Sequence, residues 1–335
     1  MKAYELRQPG IGIEALRLVD RSEPRPGPGE VIVAMRAAGL NARDLQILAG
    51  VHPVGKAFPL VPLSDGVGEV IACGDGVTRV RKGDRVAGTF AQRWLHGPRS
   101  PATWSSTLGG DLDGVLQERV LLHEDGLVKL PAYLTDEEGA TLPIAAVTAW
   151  QALVIGGGLR AGDNVLVRGT GGVALFALQL ARVGGARVIL TSRSAAKRTR
   201  ARTAGAHETV DSNDPTWPAR VRELTGGEGV DHVVDSVGDL RASIDCLRVG
   251  GLVSQVGYLA SMKLEADVFP VLLANARLQG ISVGPRSTFE SLLAAMALHQ
   301  IHPVIETVVP FAKAPEAFAA FASEDRFGKV VVRFG

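Results

Sequence analysis

The chain has 335 residues, a formal net charge of +1 and 46% hydrophobic residues. That length exceeds what one core normally organises and predicts two domains. The near-neutral charge, with no basic stripe or acidic tail, argues against nucleic acid as a partner, and no apolar run is long enough to span a bilayer.

The first third predicts short strands separated by turns. The cluster Pro24-Arg25-Pro26-Gly27-Pro28-Gly29 leads into a strand over Glu30–Met35, Gly66–Ala72 forms another, and Lys82-Gly83-Asp84-Arg85-Val86 is a turn feeding a third. This pattern points to a small barrel-like β domain. Residues 89–114 hold Trp94 and Trp104 among Gly, Ser and Pro without a period, and read as a long loop, either functional or a surface excursion. From Thr135 the pattern changes to alternating helices and strands, to about residue 260, with Thr135 and Glu138 at capping-box spacing. Val230–Asp235 and Gly251–Gly257 read as buried parallel strands, residues 289–298 as a helix, and residues 329–334 as a closing strand that rejoins the first domain. The N-terminus lacks a leader pattern, and Cys73 and Cys246 are the only cysteines, which predicts a cytoplasmic protein with both cysteines as small buried apolar residues.

The most informative stretch is Val165–Ala174. An apolar β run ends in Gly169-Thr170-Gly171-Gly172-Val173-Ala174, an apolar helix follows, and Ala186–Leu190 forms a second strand. Strand, glycine turn, helix and strand in that order are the setting of a dinucleotide site. Gly169 permits the tight turn, Gly171 lets backbone approach a pyrophosphate, and the helix amides face the phosphates. Where an NAD-preferring chain carries Asp or Glu, this one has Ser192, Arg193 and, nearby, Lys197. A carboxylate repels a ribose 2′-phosphate and these cations attract one, so NADPH is expected over NADH.

The chain resembles the medium-chain dehydrogenase/reductase superfamily over nearly its whole length. The marks are Gly39-Leu40-Asn41-Ala42-Arg43-Asp44, residues 59–70, Lys82–Val86, Thr148-Ala149-Trp150, the glycine turn, and Phe327-Gly328-Lys329-Val330-Val331. The resemblance implies an α/β protein in which a doubly wound parallel Rossmann sheet, residues 129–284, is inserted in a GroES-like β domain made of residues 1–128 and 285–335. Zinc members hold their catalytic metal with Cys, His and Cys; the matching places here are Asn41, Ser64 and Ile144, so no metal is expected.

Without zinc, the chain resembles the quinone oxidoreductase branch, and hydride transfer from NADPH to a quinone or an α,β-unsaturated carbonyl is implied. A zinc-free NAD(P)-dependent alcohol or aldehyde dehydrogenase and a non-catalytic NADPH-binding protein are the alternatives. Thr148 matches the threonine beside the nicotinamide, Val256, Gly257 and Tyr258 a carboxamide loop, and Arg286, Gly328 and Lys329 loops over the cofactor; Arg286 reads equally as a surface ion pair. Asn41 is either a hydrogen-bond donor near the substrate or a turn cap, and Asp44 either orients it or pairs with an arginine. The expected partners are a small-molecule electrophile and, through an edge strand over residues 278–283, a second copy in a homodimer, without membrane or nucleic acid.

Overall fold

The computed structural model describes residues 1–258 and 263–335, and the chain divides into two compact units, Met1–Val147 with Gly284–Gly335 and Thr148–Val283. The first break thus falls later than the expected 128/129. Residues 129–147 stay with the first unit because the helix Asp136–Gly139 packs on its strands and Gly39 approaches the backbone of Ala140.

In the first unit, β1 (Lys2–Leu6) and β2 (Leu16–Asp20) form an antiparallel pair. Seven strands make the main sheet: β3 (Glu30–Gly39), β4 (Asp65–Cys73), β5 (Arg85–Gly88), β6 (Arg119–His123), β7 (Leu127–Lys129), β14 (Ile305–Pro310) and β15 (Lys329–Arg333), in the order β14-β15-β3-β4-β5-β7 with β6 also on β3. The closing strand does rejoin the N-terminal sheet. Alternate residues Val31, Val33 and Met35 of β3 enter a core completed by Phe318 and Phe321 of the helix Ala314–Ala322. The 89–114 loop is stapled to itself by the Ala91–Thr107 and Leu108–Leu112 bridges, and Trp94 and Trp104 meet edge to face at 6.3 Å. Cys246 is buried as expected, but Cys73 is exposed, because it ends β4 at the sheet margin.

The second unit is a six-stranded parallel sheet of β8 (Asn164–Arg168), β9 (Arg187–Ser192), β10 (Glu208–Asp211), β11 (Val230–Asp235), β12 (Leu247–Gln255) and β13 (Arg277–Gly280), ordered β10-β9-β8-β11-β12-β13. This is the doubly wound order, reversing between β8 and β11. The middles of β8 and β9 are apolar because helices cover both faces; Val165, Leu166, Val167, Val188, Ile189 and Leu190 are all fully buried. The helix Gly172–Val183 buries Ala174 through Leu178, Leu180 and Ala181, whereas Val173 is only half-buried. Among the described residues no helix is long and apolar enough to cross a membrane.

A Cβ at Gly39 would lie 2.1 Å from the Ala140 carbonyl oxygen. Backbone on both sides leaves no side chain to yield, so Gly39→Ala is expected to destabilise the protein by about 1–3 kcal/mol or more, read as a lowered urea midpoint.

Candidate active site

In the second unit every strand points the same way, so all carboxyl ends lie along one edge. The register pairs Asp211 with Ser192, Arg168 with Thr191 and Asp235, and Asp235 with Gln255. The glycine turn, the tip of β9 and the segment after β12 are therefore neighbours along that edge. Gly169 has φ +96°, a conformation open to glycine, and its N–H donates to Thr191 O at 3.1 Å. Gly171 caps the helix Gly172–Val183, whose first amides are unpaired by helix geometry and suit an anion. Thr170 is nearly buried, and Thr148 is 3% exposed in the helical run that opens this unit.

At the β9 tip Ser192 is buried, and its Oγ accepts the Ser194 N–H; Arg193 is exposed, and its carbonyl accepts Asn213 Nδ2 at 2.8 Å. Lys197 stands in the first turn of the helix Ala195–Thr203. Arg198, passed over in the sequence, donates to Ser192 O at 2.8 Å and pairs with Asp211 at 2.9 Å. It thereby neutralises the carboxylate beside the tip. Val256 donates to Asp235 O at 2.9 Å, Gly257 sits against Ser236, and Tyr258 is exposed.

Behind the turn lies a buried network that sequence reading also missed. Arg168 is 4% exposed and donates to Asp235 Oδ2 (3.0 Å), Ser243 Oγ (3.0 Å) and Asp239 O (2.6 Å), with its guanidinium 4.8 Å from the Trp217 ring centre. The other Asp235 oxygen accepts the N–H groups of Val237 and Gly238 at 2.7 and 3.0 Å. Ser236 Oγ donates to Arg168 O at 2.6 Å. One ion pair thus fixes the ends of β8 and β11 at the point where strand order reverses.

In the first unit, Gly39 at the end of β3 pairs with Asp65 on one side and with Val331 on the other. That register gathers the chain after β3, the start of β4 and the start of β15. Asn41, 7% exposed, caps the helix Ala42–Leu48; its N–H donates to Asp44 Oδ2 at 2.7 Å. Asp44 also faces Arg43 at 3.8 Å, so its place is in the cap and an ion pair. Asp65 is fully buried and accepts from Ser64 Oγ (3.1 Å) and the Ile144 N–H (3.2 Å). Lys329, expected over the cofactor, instead turns inward from the start of β15. It is 2% exposed, donates to Leu40 O at 2.6 Å and Asn41 Oδ1 at 2.8 Å, and stands 3.7 Å from Asp65. Gly328 before it has φ +99°. The Asn41 side-chain amide is buried and is turned to the Asp65 carboxylate, whose ionised form it favours. Arg286 is committed to Asp125 (O at 2.7 Å, Oδ1 at 3.3 Å) and Glu290 (3.4 Å), the ion-paired alternative. Among the described residues no group of three or more His, Cys, Asp or Glu is placed to hold a metal.

Burial dominates the titration of this cluster. It raises the Asp44 carboxyl from 3.8 to about 6 against the opposing pull of Arg43, and it raises Asp65 and lowers Lys329 while each of these two opposes the other's shift. The ionised Asp44 is thus disfavoured in the folded state, so its contribution to stability falls as pH rises from about 4 to 6. Asp44→Asn is expected to remove a pH-dependent loss on the order of 3 kcal/mol over that window, measured by urea unfolding at successive pH values. Asp235→Asn is expected to destabilise the fold by about 3–5 kcal/mol, because Arg168 stays buried with its charge uncompensated, read as a lowered urea midpoint.

The profile of the alcohol dehydrogenase GroES-like domain matches residues 27–132, and that of the zinc-binding dehydrogenase matches residues 172–297. A zinc-type alcohol dehydrogenase-like protein of Schizosaccharomyces pombe is 39% identical over 332 residues, covering 96% of each chain. A quinone oxidoreductase of Pseudomonas aeruginosa is 36% identical over 249 residues, 73% of this chain and 70% of that one. The crystal structure of a putative alcohol dehydrogenase from Sinorhizobium meliloti 1021 superposes with a TM-score of 0.94 at 42% identity, covering 99% of this chain and 98% of the other. The doubly wound sheet with its glycine turn, the β unit built from both ends of the chain, and these similarities, two of them over nearly the full length, agree: the chain belongs to the medium-chain dehydrogenase/reductase superfamily and is an NAD(P)-dependent oxidoreductase.

Proposed function

We propose that this oxidoreductase works without zinc and uses NADPH to reduce a quinone or an α,β-unsaturated carbonyl. The observation that carries the reading is the donor set at Asn41, Ser64 and Ile144. An amide, a hydroxyl and a hydrocarbon stand where a zinc site needs thiolate, imidazole or carboxylate ligands, and the Lys329 ammonium bonds the first of them. A dication does not fit beside that ammonium. A simple ketone develops a localised alkoxide that benefits from a Lewis acid. A conjugated acceptor spreads the charge, and a hydrogen-bond donor suffices. The name of the Pseudomonas relative supports this acceptor class, whereas the other two names favour an alcohol.

The cofactor, when bound, supplies the hydride. The helix Gly172–Val183 would hold its pyrophosphate and the exposed Arg193 its 2′-phosphate, with Ser192 in place of a repelling carboxylate. Val256 and Gly257 would offer backbone groups to the carboxamide, and Thr148 would stand by the nicotinamide. Solvent would supply the proton. A cytoplasmic setting goes with this reading.

The protein itself is proposed to be a homodimer. β13 is a sheet edge with unpaired backbone groups, and Val268, Phe269, Leu272 and Leu273 of the helix Val268–Leu273 are 63–71% exposed. An apolar patch beside an open edge suits a second copy of the same edge. Phe269→Asp is expected to yield monomers in light scattering; an unchanged mass would remove this interface.

The central test is NADPH oxidation with para-benzoquinone or methyl vinyl ketone after exhaustive EDTA treatment. Turnover that persists supports the reading; turnover only with alcohols, or NADPH binding with no turnover across a broad acceptor panel, sinks it. Arg193→Asp is expected to lower kcat/KM for NADPH by about 10- to 100-fold, the value of a charge-assisted hydrogen bond, with little effect on NADH.

A further inference from the structure

The sequence puts no Asp or Glu at the tip of β9, yet the fold brings one there from the next strand. β9 and β10 are parallel neighbours, and Asp211, the last residue of β10, stands opposite Ser192, the last of β9. Every group involved lies in the second unit, so nothing in this geometry depends on the first. One amide ties the carboxylate to the tip: Asn213 Nδ2 donates to Arg193 O at 2.8 Å and to Asp211 Oδ1 at 3.0 Å. A bare carboxylate at this place accepts a ribose hydroxyl and repels a ribose phosphate. Here it is covered. Arg198, at the end of the first turn of the helix Ala195–Thr203, pairs with Asp211 Oδ2 at 2.9 Å, while Oδ1 also accepts the Asn213 N–H at 2.9 Å. The guanidinium is anchored in turn, because its Nη1 donates to Ser192 O at 2.8 Å and to Arg193 O at 3.2 Å. A surface ion pair made by two free side chains is worth little. This one is held in register by two carbonyls of the tip it serves.

We infer that Arg198 sets the preference for a 2′-phosphate by covering Asp211: its guanidinium cancels the carboxylate that the strand order brings to the β9 tip, and leaves the exposed Arg193 unopposed. Arg198 is a positioning residue, acting through Asp211 without touching the cofactor. Removing its charge turns Asp211 into the carboxylate that an NADH site carries on the second strand, supplied here from the third. The inference rests on the NADPH reading and names the pair that controls it.

The test measures binding of adenosine 2′,5′-bisphosphate and adenosine 5′-monophosphate to the full chain by isothermal titration calorimetry, with melting temperatures in parallel. The two probes differ only in the 2′-phosphate and carry no nicotinamide, so the readout is independent of turnover. Arg198→Gln removes the charge and keeps an amide donor for the tip carbonyls. It is expected to raise the Kd of the bisphosphate about tenfold, the scale of one uncovered like charge near the surface, with the monophosphate within about twofold of wild type. Raising the salt to about 1 M is expected to shrink that loss, because the repulsion is screened, whereas a loss through altered packing persists. Adding Asp211→Asn to Arg198→Gln is expected to bring the bisphosphate back to within about threefold of wild type. Equal losses for both probes, no loss for either, or a double variant as weak as Arg198→Gln overturn the inference. Asp211→Asn alone leaves the guanidinium on its two carbonyls and gives a second reading should Arg198→Gln melt below the assay temperature. It is expected to bind the bisphosphate at least as tightly as wild type, and weaker binding overturns the inference. If the wild type binds the two probes equally, the NADPH reading falls. The comparison of Arg198→Gln with the double variant then decides the role of Arg198 by itself, since an uncovered Asp211 repels the 2′-phosphate whatever the starting preference.

Discussion

The end of β3 is the position on which the first unit depends. Gly39 lies between Asp65 and Val331 in the sheet and within Cβ distance of Ala140, so three remote segments meet at one residue that has no side chain. A bulkier residue would push them apart. The glycine lets them close, and the closure excludes water from a lysine and two aspartates. Those charges are tolerable only because each finds a specific partner: Lys329 with Leu40, Asn41 and Asp65, and Asp44 with the Asn41 amide and Arg43. Close packing creates the electrostatic problem, and the pairing that solves it fixes the orientation of Asn41.

The second unit solves a related problem in the same manner. Its glycine turn must hold an unusual backbone shape at the end of a buried strand. Arg168 and Asp235, ending adjacent parallel strands, form an ion pair away from water, and the carboxylate spends its second oxygen on the loop after β11. A charge pair of this kind adds little net stability, but losing either partner is costly. Its value lies in holding two strand tips in one arrangement, which is what a site assembled from several loops requires.

The local parts of this picture were legible in the sequence. The glycine turn, the Ser192-Arg193 tip and the alternating strands are contiguous, and their chemistry can be read over short spans. Lys329 was legible as a residue but not as a role, since its partner Asn41 is 288 positions away. One signal was available: Lys329 opens the apolar run Val330-Val331-Val332, and period-two alternation puts it on the face of Val331. Arg168 carried the same signal after Val165-Leu166-Val167, with Asp235 ending another apolar run. Arg198 was passed over for Lys197 because helix position, set by the Ser194 cap, decides which cation folds back on the strand tip. The break between units could not be placed from composition, because the helix Asp136–Gly139 belongs with the β sheet by packing alone.

The order in which the chain is made gives β15 one more consequence. The second unit is a continuous segment, Thr148–Val283, whose contacts can form while the ribosome is still extending the polypeptide. The first unit cannot finish so early: the strand between β14 and β3 starts at residue 329, and with it comes the cation that Asn41 and Asp65 await. Until then two carboxylates and an amide surround a gap, with a sheet edge open beside them. A nascent chain thus passes through a stage in which the sheet of the second unit is complete and that of the first is not.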